Sequence, residues 1–93
     1  MSSLHSFGSA PDIPLLIKSS NAASERRVNP SWTIAHFKSR LEPITGIPSH
    51  SQTLSFRIGS QDAVPISAAD EEAVQLSAFG LQAYAEVTVR VFT

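Results

Sequence analysis

The most constraining stretch of the chain runs from Thr33 to Phe56. Thr33 suits a helix N-cap, because its hydroxyl can accept one of the backbone N–H groups left unpaired in a first turn. Trp32 before it and Phe37 after it stand at the spacing of a hydrophobic staple. Ile34, Phe37, Leu41 and Ile44 recur every three or four residues, which makes one apolar stripe on a helix. Pro43 disfavours helical geometry at Glu42 and removes a donor, so the helix is expected to end near Glu42, with a loosened turn to Gly46. Gly46 can take the left-handed conformation that closes a helix. Pro48 stiffens the exit, and Leu54 and Phe56 alternate with Ser55 and Arg57 as in a strand with one buried face.

Size and charge narrow the class. Ninety-three residues with 42% hydrophobic content suit one globular domain. A formal net charge of −1 argues against a nucleic-acid binder, which needs a basic stripe to neutralise phosphates. The chain has no cysteine, which excludes disulfides, thiolate metal sites and cysteine catalysis. No apolar run approaches the roughly 20 residues of a membrane span, and no signal-peptide pattern opens the chain. A cytoplasmic setting is the expectation.

Residues 1–11 are Ser-rich and aperiodic and are expected to form a disordered tail, with the folded domain over 12–93. His5 and Phe7 lie in that tail. Ile13 to Lys18 reads as a first strand with Ile13, Leu15 and Ile17 inward, and Pro14 limits its pairing on one side. Ser19 to Ala23 is a turn by composition, and Ser24 to Val28 a second strand. After the helix come a third strand over Thr53 to Ile58, a turn over Gly59 to Asp62 and a short edge strand over Val64 to Ile66. Ser67 can cap a short helix through Asp70, Glu71 and Glu72 to Leu76, with the acids at the positive end of its dipole. Glu86 to Phe92 alternates, with Val87, Val89 and Val91 inward and Thr88, Arg90 and Phe92 outward. The expected core is Ile13, Leu15, Ile17, Val28, Ile34, Phe37, Leu41, Leu54, Phe56, Leu76, Leu81, Val87, Val89 and Val91.

Nothing argues for catalysis. His5, His36 and His50 are far apart and share no metal-ligand spacing, and solvated surface histidines are the plainer reading. Asp70, Glu71 and Glu72 suggest paired carboxylates or a cation site, but acids favouring a helix start are the plainer reading. There is no Gly-x-Ser-x-Gly elbow, and Gly59 and Gly80 do not make a phosphate-cradling loop. The expectation is a monomeric non-enzyme without cofactor or metal.

The frame Thr33-Ile34, Phe37-Lys38, Leu41, Gly46-Ile47-Pro48, Gln52, Leu54 and Phe56 resembles the ubiquitin superfamily. So does the run Leu76 to Leu81, where an apolar residue is followed by an aromatic three on and an aliphatic two further. The resemblance implies an α+β, ubiquitin-like β-grasp: a mixed sheet of four to five strands on one main helix, plus a short second helix. Within the superfamily, the paired serines Ser19-Ser20, the element Ser24-Glu25-Arg26-Arg27 and the helix Thr33-Ile34-Ala35-His36-Phe37-Lys38 are similar to the N-terminal domain of the tubulin-folding cofactor B family. That likeness implies a cytoplasmic, cytoskeleton-associated module with α-tubulin and cofactor E as partners, acting in heterodimer assembly and dissociation. The family's tail-binding CAP-Gly domain has no counterpart here, so the chain reads as one domain of a longer protein.

The resemblance also makes Gln52 a buried, backbone-bonding residue. It places Arg26 on the inward side of strand two, where its stem is expected over the core edge with its head in water. The chain ends Val91-Phe92-Thr93 without the diglycine of conjugated modifiers, so no activation and attachment is expected. The outward sheet face should carry Leu16, Lys18, Ser55, Arg57, Thr88 and Arg90. The superfamily match puts Ser55 and Arg90 where ubiquitin has its aliphatic receptor patch. Lys18, Ser55, Arg57, Thr88 and Arg90 are therefore the candidate partner face, polar and positive, suited to an acidic partner. Arg26, Arg27, Lys38 and Arg40 form a candidate second basic group. The alternative function is an integral adaptor docking receptors of the ubiquitin–proteasome system, which the polar replacements disfavour.

Overall fold

The computed structural model describes residues 11–20 and 22–92, so the expected tail over 1–11, with His5 and Phe7, falls almost wholly outside the described residues. The strands are β1 (Ile13–Lys18), β2 (Ala23–Val28), β3 (Gln52–Arg57), β4 (Val64–Pro65) and β5 (Glu86–Val91), and the helix α1 covers Ile34–Thr45. They form one sheet in the order β2-β1-β5-β3-β4 among the described residues. β1 and β5 run parallel; the other neighbours are antiparallel. The fold is the ubiquitin-like β-grasp that the resemblance implied.

Helix α1 starts where its cap predicts. The Thr33 hydroxyl accepts the His36 N–H at 3.1 Å. The remaining first-turn donors are also used: Phe37 N–H donates to the Thr33 carbonyl, Ile34 N–H to Val74 and Ala35 N–H to Glu71. Segment 71–76 is therefore the complement of the helix start. This corrects the expected helix from Asp70 to Leu76. The carbonyls of Glu71 and Val74 are turned outward to the N-terminus of α1, so they are unavailable for a helix of their own. Asp70 instead closes a turn, its carboxylate accepting the Glu72 N–H, and the second helical element is a 3₁₀ turn at Leu76–Phe79.

The far end of α1 also departs from expectation. The helix does not stop near Glu42 but continues through Pro43 to Thr45. Proline removes only its own bond to the carbonyl four residues back. The last turn is held instead by the Thr45 hydroxyl donating to Leu41 O at 2.9 Å and by Gly46 N–H donating to Glu42 O at 2.8 Å. Gly46 ends the helix in the left-handed region, with φ +77°.

The core lies between the inner sheet face and α1. Leu15, Ile17, Val28, Ile34, Phe37, Leu41, Leu54, Phe56, Leu76, Val87 and Val89 are buried as expected, joined by Ile47, Ile66 and Ala85. Ile13 and Leu81 pack only partly. Val91 is a correction: its parity points inward, yet it is 56% exposed. β1 accompanies β5 only from Glu86 to Thr88, so the strand's end has lost its neighbour on one side by Val91. Gln52 is the buried polar residue of the core, with Nε2 donating to Ile47 O and Lys38 O, each at 2.9 Å.

Candidate protein-interaction surfaces

The outer sheet face assembles as parity requires. Lys18 pairs across to Thr88, and Thr88 pairs with Ser55, so these three form one row over β1, β5 and β3. The next row is Leu16, Glu86 and Arg57, and Arg90 lies opposite Thr53. Lys18, Ser55, Arg57, Thr88 and Arg90 therefore share one surface.

Its charge is not what the basic residues alone suggest. Glu86 stands in the middle and binds two of them, Lys18 Nζ at 3.2 Å and Arg57 at 3.1 Å. Hydrogen bonds from Lys18 and then Arg57 hold the Glu86 carboxyl below the ordinary glutamate range, against a smaller opposing desolvation. Among the described residues Arg90 has no carboxylate partner, so the face is a triad in which one carboxylate offsets only one of two cations, with a further unpaired cation beside it. Glu86 was missed as a face residue, though the signal was present: it shares parity with Thr88 and Arg90.

The lowered carboxyl sets a pH dependence. A depressed folded-state pKa contributes stability that is full above the unfolded value and is lost as pH falls through the folded one. Glu86→Gln should therefore flatten the acid limb of the thermal midpoint between neutrality and about pH 3, with a small effect because exposed pairs contribute little. A pH profile identical to that of the wild type would mean that the triad adds nothing to folding.

The second basic group divides. Arg26, Arg27 and Arg40 line one open groove of about 830 Å³ between β2 and α1. Lys38 does not join them. It is directed to Glu71 at 2.9 Å, with only 12% of its side chain exposed, and tethers α1 to the turn that caps it. Arg26 pairs with Leu15 and so lies on the inner side of β2, but it is solvent-exposed, its Nε donating to the Ser24 hydroxyl at 3.2 Å. Arg40 stacks over Trp32, 5.2 Å from the ring centroid. Trp32 also packs against Phe37, centroids 6.5 Å apart, as the staple spacing predicts.

Among the described residues no group of three or more His, Asp or Glu is placed to hold a metal ion. No helix among them is long and apolar enough to cross a membrane.

Comparison with known proteins agrees with this architecture. Residues 12–90 match the model of the ubiquitin-like domain family. The chain is 40% identical over 80 residues to the cell polarity protein alp11 of Schizosaccharomyces pombe, a match that covers 84% of this chain but 34% of alp11. The chain thus spans about a third of that relative's length. Among solved structures, it superposes on tubulin-binding cofactor B of Trypanosoma brucei with a TM-score of 0.74 at 14% identity, covering 88% of this chain and 96% of the other. It superposes on the N-terminal ubiquitin-like domain of tubulin-binding cofactor B from Drosophila melanogaster with a TM-score of 0.69 at 21% identity, covering 94% and 92% of the two chains. The match over 12–90, the capped helix and the β2-β1-β5-β3-β4 sheet agree, and the chain belongs to the ubiquitin-like domain family.

Proposed function

We propose that this domain is a non-catalytic docking module of a tubulin-folding chaperone, working in the cytoplasm beside the cytoskeleton. In this reading it engages α-tubulin through the outer sheet face and acts with cofactor E in heterodimer assembly and dissociation. The observation that carries the reading is the composition of that face. Lys18, Thr88 and Ser55 form its central row, with Arg90 unpaired beside them, where a receptor-binding ubiquitin-like domain needs an aliphatic patch. The likeness to alp11 and to the cofactor B domains supports the same assignment.

The adaptor reading is weaker on physical grounds. A receptor that lays an apolar helix on this face would bury the Arg90 guanidinium without a partner, a penalty on the order of several kcal/mol if fully desolvated. An acidic surface would gain from Arg90, chiefly in association rate and at low salt.

NMR titration of the chain with tubulin heterodimer tests the proposal. Shifts should centre on Ser55, Thr88 and Arg90 and weaken as salt rises. Ser55→Ile combined with Arg90→Val should lower tubulin affinity roughly five- to tenfold and raise affinity for a ubiquitin-binding helix. Unchanged affinity for both ligands would refute this face as the contact.

A further inference from the structure

The groove between β2 and α1 presents a second surface, on a different side of the molecule from the one just discussed. β2 is the terminal strand of the sheet. Leu16 directs its backbone N–H to Ala85 O in β5, so by alternation the backbone groups of Leu15 face β2. Leu15 pairs with Arg26, and Ile13 and Ile17 with Val28 and Ser24. The backbone groups of Ala23, Glu25 and Arg27 therefore point to the open edge, a template for another strand.

Three features give that edge a preference. Arg26, Arg27 and Arg40 line the adjoining groove, and among the described residues none of them has a carboxylate partner. Two are held in place, Arg26 by the Ser24 hydroxyl and Arg40 by the face of Trp32. The floor between them is apolar, built on buried Val28 with half-buried Trp32 and Ile44 at its sides. A chain of net charge −1 thus gathers three of its seven basic residues, none with a carboxylate partner among the described residues, along the open edge of one strand.

We infer that β2 accepts an extended acidic peptide as a sixth strand. Its backbone would bond to Ala23, Glu25 and Arg27. Alternate carboxylates would enter the groove and meet the Arg26 and Arg40 guanidiniums beside Trp32, and the apolar side chains between them would lie on the opposite face of the sheet. Strand addition supplies affinity through the main chain and selectivity through alternate side chains. Guanidinium–carboxylate pairs are the geometry to which arginine is best suited. By alternation Glu25 and Arg27 share the face of β2 opposite Arg26, so the strand's own acid stands on the side of Arg27, and Arg26 and Arg40 are the guanidiniums that meet the peptide's carboxylates.

The test uses the 93-residue chain and a capped peptide of alternating glutamate and valine, matched in length to the six residues of β2. NMR titration should shift the amides of Ala23, Glu25 and Arg27 and the Trp32 indole. Arg26→Gln with Arg40→Gln should weaken binding by tenfold or more. The glutamine–valine counterpart should bind at least tenfold more weakly, and N-methylation of the edge-facing peptide amides should abolish binding. Shifts centred on Thr88 and Arg90, equal affinity for the glutamine peptide, or loss of less than twofold in the double variant would each overturn the inference. So would concentration-dependent dimerisation through β2 of the free chain. Because the tubulin experiment reads Ser55, Thr88 and Arg90, the two can fail separately.

Discussion

Phe37→Ala should lower the unfolding free energy by about 3–5 kcal/mol, a large share of the roughly 5–15 kcal/mol available to a small domain. The ring is 1% exposed and sits in the middle of the stripe that α1 presents to the sheet, between Ile34 and Leu41, themselves 0% and 1% exposed. Removing it takes away transfer free energy and leaves a cavity, because α1 is pinned and cannot settle into the gap. Its N-terminus is tied by the Val74 and Glu71 carbonyls, and its side by the Lys38–Glu71 pair. Urea unfolding followed by tryptophan emission is a direct measurement, since Trp32 is the chain's single tryptophan and lies against the Phe37 ring. Phe92→Ala is the matched control: that ring is 70% exposed and its loss should fall within about 0.5 kcal/mol. An unchanged midpoint for Phe37→Ala would remove the α1 stripe from the core.

The elements legible in the sequence were those that carried their own punctuation. Thr33 and Gly46 mark the helix ends, and the alternations around Leu15, Leu54 and Val87 mark strands with one buried side. What was not legible depended on partners distant in sequence. Pro43 argues locally for an early stop, but the Thr45 hydroxyl and Gly46 N–H restore the last turn. Asp70 to Glu72 argues locally for a helix start, yet Glu71 and Val74 spend their carbonyls on α1 some forty residues earlier in the chain. The same distinction governs the surfaces. Parity alone placed Lys18, Ser55, Arg57, Thr88 and Arg90 together, while the pairing of Lys18 and Arg57 to one shared carboxylate required the register that sets Glu86 beside both. Arg26, Arg27 and Arg40 share a groove because residues of β2 and of α1 line it from two sides; Lys38, on the same helix as Arg40, is turned away to Glu71.

Gln52→Ala is the second large effect expected, about 2–4 kcal/mol of lost stability. The side chain is 3% exposed and fastens three parts of the fold at once. Its own backbone begins β3, while its Nε2 donates to Ile47 O in the corner after α1 and to Lys38 O inside the helix. Alanine would leave the buried Ile47 carbonyl without its donor and open a space where the Gln52 side chain is enclosed. Two variants separate these contributions. Gln52→Leu fills the volume and removes the Nε2 donor together with the buried, unpartnered Oε1, so it should be milder than alanine while still destabilising. Gln52→Glu removes the amide donor and brings an ionisable group into the core, so its loss should deepen as pH rises and the carboxyl charges. Chemical unfolding of the three variants, at neutral pH and near pH 4, measures both terms. Equal stability of Gln52→Leu and wild type would show that the amide's two bonds contribute nothing net, and that the corner after α1 is held by Gly46, Pro48 and Ile47 alone.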